Sequence, residues 1–595
     1  MHYYKKIKMN MKAKFIILIA LVVIFTGCED ILKPSDENNR TLEDIYDDAA
    51  FAEGLLLNGY VRLPSGSYLF NDVATDDAVS NDSENDYLFM ATGQWSSINN
   101  PTGQWTSAFA AIQYLNLMLK EADKVEWATT GDYTKEMFND RLKGEAYGLR
   151  ALFMFHLLQA HGGESSNGDL LGIPILTEPL DSESDFNFKR NTFEECLQQI
   201  FSDLDQAESY LPLDYEDVGD EGGIPTKYAG KTIVSEYNRV FGGYFRMRLS
   251  ARIVKGIRAK VALLAASPAF NRGTSVSWAE AADAAGEVLD LIGGVSGMAS
   301  NGGYWYSRNN SGEIDNIASG NNPAEILWRT NVDASNELES DNYPPSLYGD
   351  GRINPTQNLV DAFPMANGYP IADANSNYDP NNPYANRDPR LNLYIVVNGS
   401  QMGPSNSTIY TKVGETNDGI NEIATSTRTG YYMRKLLRED INLDPVATSE
   451  ANHYVPHIRY TELFMAYAEA ANEAWGPDGV GTHGYSARDV IGAIRSRAGI
   501  EQPDEYLALI NNRERMRELI RNERRLELCF EGFRFWDLRR WKEDLTETAK
   551  GMRITTTDNF NVIQVEKRQY DDNMYYGPIP YNEVIKWGIT QNAGW

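Results

Sequence analysis

The stretch Ile520 to Trp541, IRNERRLELCFEGFRFWDLRRW, constrains the fold more than any other, because its charges and rings must all find partners. It reads as a helix. Arg524 and Glu527 lie one turn apart, as do Glu518 and Arg521, so neighbouring charges can pair along the helix surface. Leu519, Ile520, Leu526, Leu528 and Phe530 supply an apolar side, and Gly532 is a natural helix stop. Beyond it Phe533, Phe535, Trp536 and Trp541 interleave with Arg534, Arg539 and Arg540, which suits guanidinium–aromatic stacking. A nucleic-acid surface would use the same residue types. The pairing pattern favours a structural helix whose charges are satisfied within the protein.

The chain as a whole supports that choice. Its 84 acidic residues against 55 Lys and Arg give a formal charge of −29. Such a surface repels phosphate backbones and anionic headgroups, so nucleic acid is not an expected partner. At 595 residues and 42% hydrophobic content the chain can bury a large core. Its three cysteines, Cys28, Cys196 and Cys529, make no disulfide framework. Cys196 and Cys529 fall in helical patterns as small buried hydrophobes.

Cys28 differs. Lys5, Lys6, Lys8, Lys12 and Lys14 precede an unbroken apolar run, Phe15 to Phe25, too short to span a bilayer but right for a secretory signal. Phe-Thr-Gly-Cys then looks like a lipobox, which implies cleavage before Cys28 and its acylation. Acyl chains anchor firmly, at about 0.8 kcal/mol per buried CH₂. Residues 1–27 are therefore assigned to a signal peptide and 28–40 to a lipidated tether.

From there helices dominate. Thr41 to Tyr60 is expected to be helical with Thr41 as N-cap; Ser65 to Gln104 has loop composition; and Trp105 opens a helix as a core residue. Glu145 to Gly163, Thr192 to Leu211 (with a capping signal), Ile257 to Ser267, Trp278 to Leu291 and Arg459 to Trp475 follow. Gly293 to Asp440 is mostly irregular, with a short strand at Leu391 to Val397. Small residues beside large ones in turn-linked helices suggest tetratricopeptide-like pairs without a clean repeat. The expected fold is mainly α: a tetratricopeptide-like helical-pair scaffold with long irregular loops and a few short strands.

Signals for chemistry are sparse. His453 and His457 are separated by Pro456, which opposes a helical zinc pair. Asp373 to Asp379 resembles half a calcium loop, but Tyr378 and Tyr384 stand where Gly and Glu are needed. No nucleophile elbow, phosphate loop or dinucleotide fingerprint is present. No catalytic residue, metal site or cofactor is assigned. Aromatics in polar loops are the better candidates, since a ring covers the apolar face of a sugar while Asp, Asn and Arg meet its hydroxyls. Two stretches have that makeup: Asp76, Asp77, Trp95, Asn99 and Asn100, and Tyr304, Trp305 and Tyr306.

The carboxy-terminal stretch also resembles the signature of the SusD/RagB family through Arg524, Glu527, Leu528, Glu531, Gly532, Arg534, Asp537, Leu538, Arg539 and Trp541. IPILTEP, ASPAFN, NRDPRL (Asn386 to Leu391), RSRAG (Arg495 to Gly499) and the terminal QNAGW agree in order. The resemblance implies one integrated unit, an N-terminal region 41–290 and a C-terminal region 291–595. It implies a non-enzymatic, surface-exposed outer-membrane lipoprotein. Such a protein binds an oligosaccharide and hands it to a SusC-like TonB-dependent transporter. Loops after the first helix and in the middle region would supply ligand aromatics. A RagB-like peptide receptor and an anchored glycoside hydrolase are the alternatives.

Overall fold

The computed structural model describes residues 45–64, 68–306, 314, 317, 321–555 and 559–595. The residues assigned to a signal peptide and a lipidated tether, with Cys28 and Thr41, lie outside them. The helices of two turns or more are α1 (Ala49–Tyr60), α2 (Trp105–Glu121), α3 (Asp132–His161), α4 (Phe193–Tyr210), α5 (Val234–Phe241), α6 (Ala251–Ala266), α7 (Trp278–Asp290), α8 (Tyr460–Trp475), α9 (Ala487–Ala498), α10 (Arg513–Glu527) and α11 (Arg534–Trp541). The fold is mainly α, as expected.

Local chemistry sets the helix starts. Thr192 and Glu195 close a capping box at α4, Ser277 and Glu280 at α7, and Ser486 and Asp489 at α9. Within the described residues the helix expected over Thr41 to Tyr60 runs Ala49–Tyr60, with Asp48 as its cap accepting from the Phe51 amide.

The helices pack in succession, α1 on α2, α2 on α3, α3 on α4, α4 on α6, α6 on α7, α7 on α8, and α8 on α9 and α10. Helix α8 is the axis of this stack. Every residue from Tyr460 to Asn472 is buried, so its polar residues need internal partners. Glu469 takes Arg540 at 2.6 and 2.7 Å and the Trp541 indole at 2.6 Å.

Strands are short. All sheets among the described residues are antiparallel pairs: β1 (Ala78–Ser80) with β3 (Ile353–Pro355), β2 (Ile326–Arg329) with β4 (Pro456–Arg459), β5 (Ala549–Ile554) with β6 (Phe560–Glu566), and four others. The strand expected over Leu391 to Val397 is instead a helix, Pro389–Tyr394, followed by a strand, Ile395–Val396. Pro389 takes the first helical position and the Asp388 carboxylate caps it, a start signal that outweighs the β-branched tail.

Two hydrophobic cores result. One belongs to the helical stack and holds Leu56, Leu149, Ile257, Leu289 and Phe464. The other lies in a lobe built from loops and hairpins and holds Trp95, Leu359, Tyr394, Tyr432 and Phe535. The cores interleave along the chain, since residues 73–95 serve the lobe and residues 458–520 serve the stack.

The Ile520 to Trp541 stretch sits at their seam. It is two helices rather than one: α10 ends at Glu527, and Phe530 (φ 63°) and Gly532 (φ 82°) turn the chain into α11. Its charges do pair inside the protein, mostly across elements, with Asp537 and Arg540 of α11 also meeting along the helix at 2.8 Å. Arg524 bonds Asp537 at 2.7 Å, and Glu527 takes Arg390 and Arg497, both at 2.9 Å. Arg521 pairs with Glu543. Arg390 also holds Glu523 at 2.8 Å, and Arg495 bridges Glu523 and Asp504 at 2.7 and 2.5 Å. The NRDPRL and RSRAG segments are thereby bonded to α10. Guanidinium stacking is present: Arg539 lies 3.5 Å from the Phe535 ring centroid and Arg540 4.6 Å from that of Trp541.

Candidate functional site

A cavity of about 250 Å³ opens at the seam between stack and lobe. Helical spacing puts Leu152, Phe155, His156 and Gln159 of α3 on one wall. Lys260, Leu263 and Leu264 of α6 and Glu462 and Ala466 of α8 extend it. Trp328 of β2 and His457 of β4 close one end, with ring centroids 4.3 Å apart. The lobe contributes Tyr68, Asn71, Arg524, Glu531, Phe533, Trp536, Asp537 and Arg540. Tyr68, Phe533 and Trp536 are half-buried, so they remain partly open to solvent.

The wall's ions are paired. Lys260 bonds Glu462 at 2.8 Å, Arg459 bonds Glu531 and Glu325 at 2.7 Å each, and Asp537 bonds Arg524 at 2.7 Å and Arg540 at 2.8 Å. Burial pushes the Glu531 carboxyl up, but Arg459 and Lys435 outweigh it and hold the group below its ordinary value. His156 is pushed down to about 3 by burial, then by Lys260 and His457, and His457 to about 3 by burial and Lys260. Both imidazoles are neutral at pH 7. His156 Nδ1 and Asn71 Oδ1 make no hydrogen bond within the protein.

This cavity combines aromatic rings with hydroxyl-matching groups. Sites for drug-sized ligands run to roughly 300–1,000 Å³, so this one suits a single sugar unit rather than a chain. Among the described residues no group of His, Cys, Asp or Glu is placed to hold a metal ion.

The residues expected to meet a sugar fall elsewhere. Asp76 and Asp77 are buried acids: Asp76 takes Arg525 at 2.8 Å and Arg534 at 2.9 Å, and Asp77 takes Arg525 at 2.6 Å. Trp95 is not exposed either. Only 4% accessible, it packs 4.8 Å from the Trp595 ring and 5.0 Å from the Arg539 guanidinium, and its indole donates to Asn100 at 2.9 Å. Asn100 is half-buried and Asn99 exposed. Trp305 (1% accessible) and Tyr306 are in the lobe core, Trp305 stacked on Tyr454 at 5.3 Å, while Tyr304 is half-buried. The lobe has few regular elements, and its loops' largest rings form its core. Polar loop composition marked these loops as exposed and missed that need. Tyr68 lies in the Ser65 to Gln104 stretch of loop composition, which is the sequence signal that points to it. The cavity's His156, Lys260 and Trp328 carried no signal beyond helix and strand pattern.

The SusD family profile matches residues 306–595, and a second, described as starch-binding associating with outer membrane, matches residues 53–236. No curated protein matches the chain in sequence. A SusD-like protein of Bacteroides fragilis is similar in structure at 22% identity, covering 93% of this chain and 99% of its own, with a TM-score of 0.69. A SusD-like carbohydrate binding protein of Bacteroides fragilis follows at 20% identity, 91% and 98% coverage and TM-score 0.66. The surface glycan-binding protein A of Bacteroides fluxus aligns at 19% identity, 92% and 99% coverage and TM-score 0.57.

Proposed function

The chain belongs to the SusD/RagB family, and on that premise we propose that it is a surface lipoprotein that captures an oligosaccharide and delivers it to a partner TonB-dependent outer-membrane transporter. Acylated Cys28 is its anchor, and no helix among the described residues is long and apolar enough to cross a membrane. The observation that carries capture is the seam cavity, where Tyr68, Phe533 and Trp536 share a lining with Gln159, His156 and Asn71. Rings cover a sugar's apolar face, and amide and neutral imidazole groups donate to and accept from its hydroxyls.

Binding without bond cleavage is the consistent chemistry. A glycosidase needs two carboxyls flanking the scissile bond, one of them free to give a proton. The cavity's three carboxylates, Glu462, Glu531 and Asp537, are each held by cations. Asn99 and Tyr304, at the surface, are proposed contacts for the rest of the glycan. Asp76, Asp77, Trp95, Asn100, Trp305 and Tyr306 hold the loops that carry them.

The test is calorimetry and affinity electrophoresis of the lipid-free protein, starting after Cys28, against polysaccharides and peptides. Trp536→Ala and Tyr68→Ala run beside the wild type. One glycan is expected to bind and be recovered intact, and each variant to weaken it about tenfold or more, the scale of one aromatic contact. Peptide binding without sugar binding overturns capture of a glycan. Release of shortened products overturns the non-catalytic reading. Co-purification of the native lipoprotein with a transporter tests delivery.

A further inference from the structure

The cavity's charge balance narrows what it can accept, and this inference rests on the capture reading above. Seven ionised side chains line it, and each already has an oppositely charged partner: Lys260 with Glu462, Arg459 with Glu531, and Arg524 and Arg540 with Asp537. Arg540 has a second partner in Glu469 at 2.6 Å, and Glu531 a second in Lys435 at 2.6 Å. Every cation among these lining residues thus faces at least one carboxylate, and of their buried nitrogens only the Nη1 of Arg524 makes no hydrogen bond within the protein.

We propose that the seam cavity selects an uncharged sugar unit, a neutral hexose or pentose residue, and rejects uronic acids, sulfated sugars and charged peptide ends. An anion entering the wall loses its hydration and meets cations that already face carboxylates, so it gains little attraction and is repelled by Glu462, Glu531 and Asp537. A neutral hydroxyl loses little. The wall offers it the unbonded Nδ1 of the neutral His156 ring and the unbonded Oδ1 of Asn71, with the side-chain amides of Gln104 and Gln159 beside them. The long-range field acts in the same direction, because a chain of net charge −29 repels anionic ligands before they arrive.

Lys260 is the switch point. Its ammonium lies 5.8 Å from the Phe533 ring centroid, on the aromatic side of the cavity, and Glu462 is its neutralising partner. Removing that carboxylate leaves a cation in the wall and converts the site into one that welcomes an acid.

The experiment uses matched pairs of oligosaccharides, each a uronic-acid oligomer and its carboxyl-reduced counterpart with the same linkages, over several linkages. Calorimetry with the lipid-free protein is expected to show the reduced member binding about 30-fold or more tightly than the acid, the scale of one unpaired buried charge. Glu462→Gln is expected to shrink that ratio about tenfold. Ala466→Phe, which fills the cavity, and Gln159→Trp, at a half-buried position on α3, are each expected to abolish binding of the neutral member. Equal affinity for acid and neutral members overturns the selectivity while leaving capture intact. An unchanged ratio in Glu462→Gln, or undiminished binding in both filled variants, overturns the role of this cavity. Failure of every pair to bind overturns capture itself, and the inference with it.

Discussion

Arg534 clasps Asp76 through two hydrogen bonds of 2.9 Å although 458 positions separate them in the chain. The carboxyl is buried, which alone raises its pKa, but Arg525 and Arg534 outweigh that and hold it well below the usual carboxylate range. This pair joins the first loop of the lobe to the start of α11. Replacing Asp76 by Ala leaves Arg534 with a buried charge and no carboxylate, so a loss of roughly 3–5 kcal/mol is expected. Urea denaturation of the lipid-free protein measures it, and a loss below about 1 kcal/mol would mean that the pair is dispensable.

Two buried acids give stability opposite slopes with pH. Asp72 is raised to about 7 by burial, then by the Asp77 carboxylate. Its folded value lies above its unfolded one, so the folded state holds the extra proton and stability falls as pH rises from about 4 to 7. Burial also opposes ionisation of Glu527, but Arg497, Arg390 and Arg459 bring it to about 2. Its contribution is complete above about 4.5 and lost as pH falls towards 2. Thermal unfolding is therefore expected to be most favourable to the fold near pH 4 to 5. Asp72→Asn should flatten the limb above that maximum, and Glu527→Gln the limb below it.

Trp95→Ala should damage folding rather than recognition. The ring packs among Phe535, Tyr570 and Trp595, so its removal leaves a cavity and costs about 3–5 kcal/mol. At low temperature, where the variant is still folded, its glycan affinity is expected to match the wild type. A stable variant that has lost binding would place Trp95 in the site after all.

Gly532 adopts φ 82°, which an L side chain tolerates poorly, although the space beside Asn71 would accept a Cβ at 3.5 Å. Gly532→Ala is expected to cost about 1–2 kcal/mol through backbone strain alone. Chemical denaturation reads the loss, and Gly532→Asn, which tolerates the left-handed region better, should recover part of it.

The sequence by itself determined most of the long helices. Helix caps at Thr192, the apolar faces of α3 and α6, the interruption at Gly532 and the stacking of arginines on rings were all legible, because each depends on residues within a turn or two of one another. Tertiary structure decided partners and exposure. Arg524 could bond Glu527 along its helix, but the left-handed Phe530 and Gly532 redirect the chain and Asp537 takes it. Asp76 and Trp95 carry the composition of a sugar-binding loop, yet Arg534 and Trp595, hundreds of positions away, bury them. Burial and ion pairing depend on which distant segments meet. Local pattern is silent on that wherever long loops, rather than periodic elements, build the core.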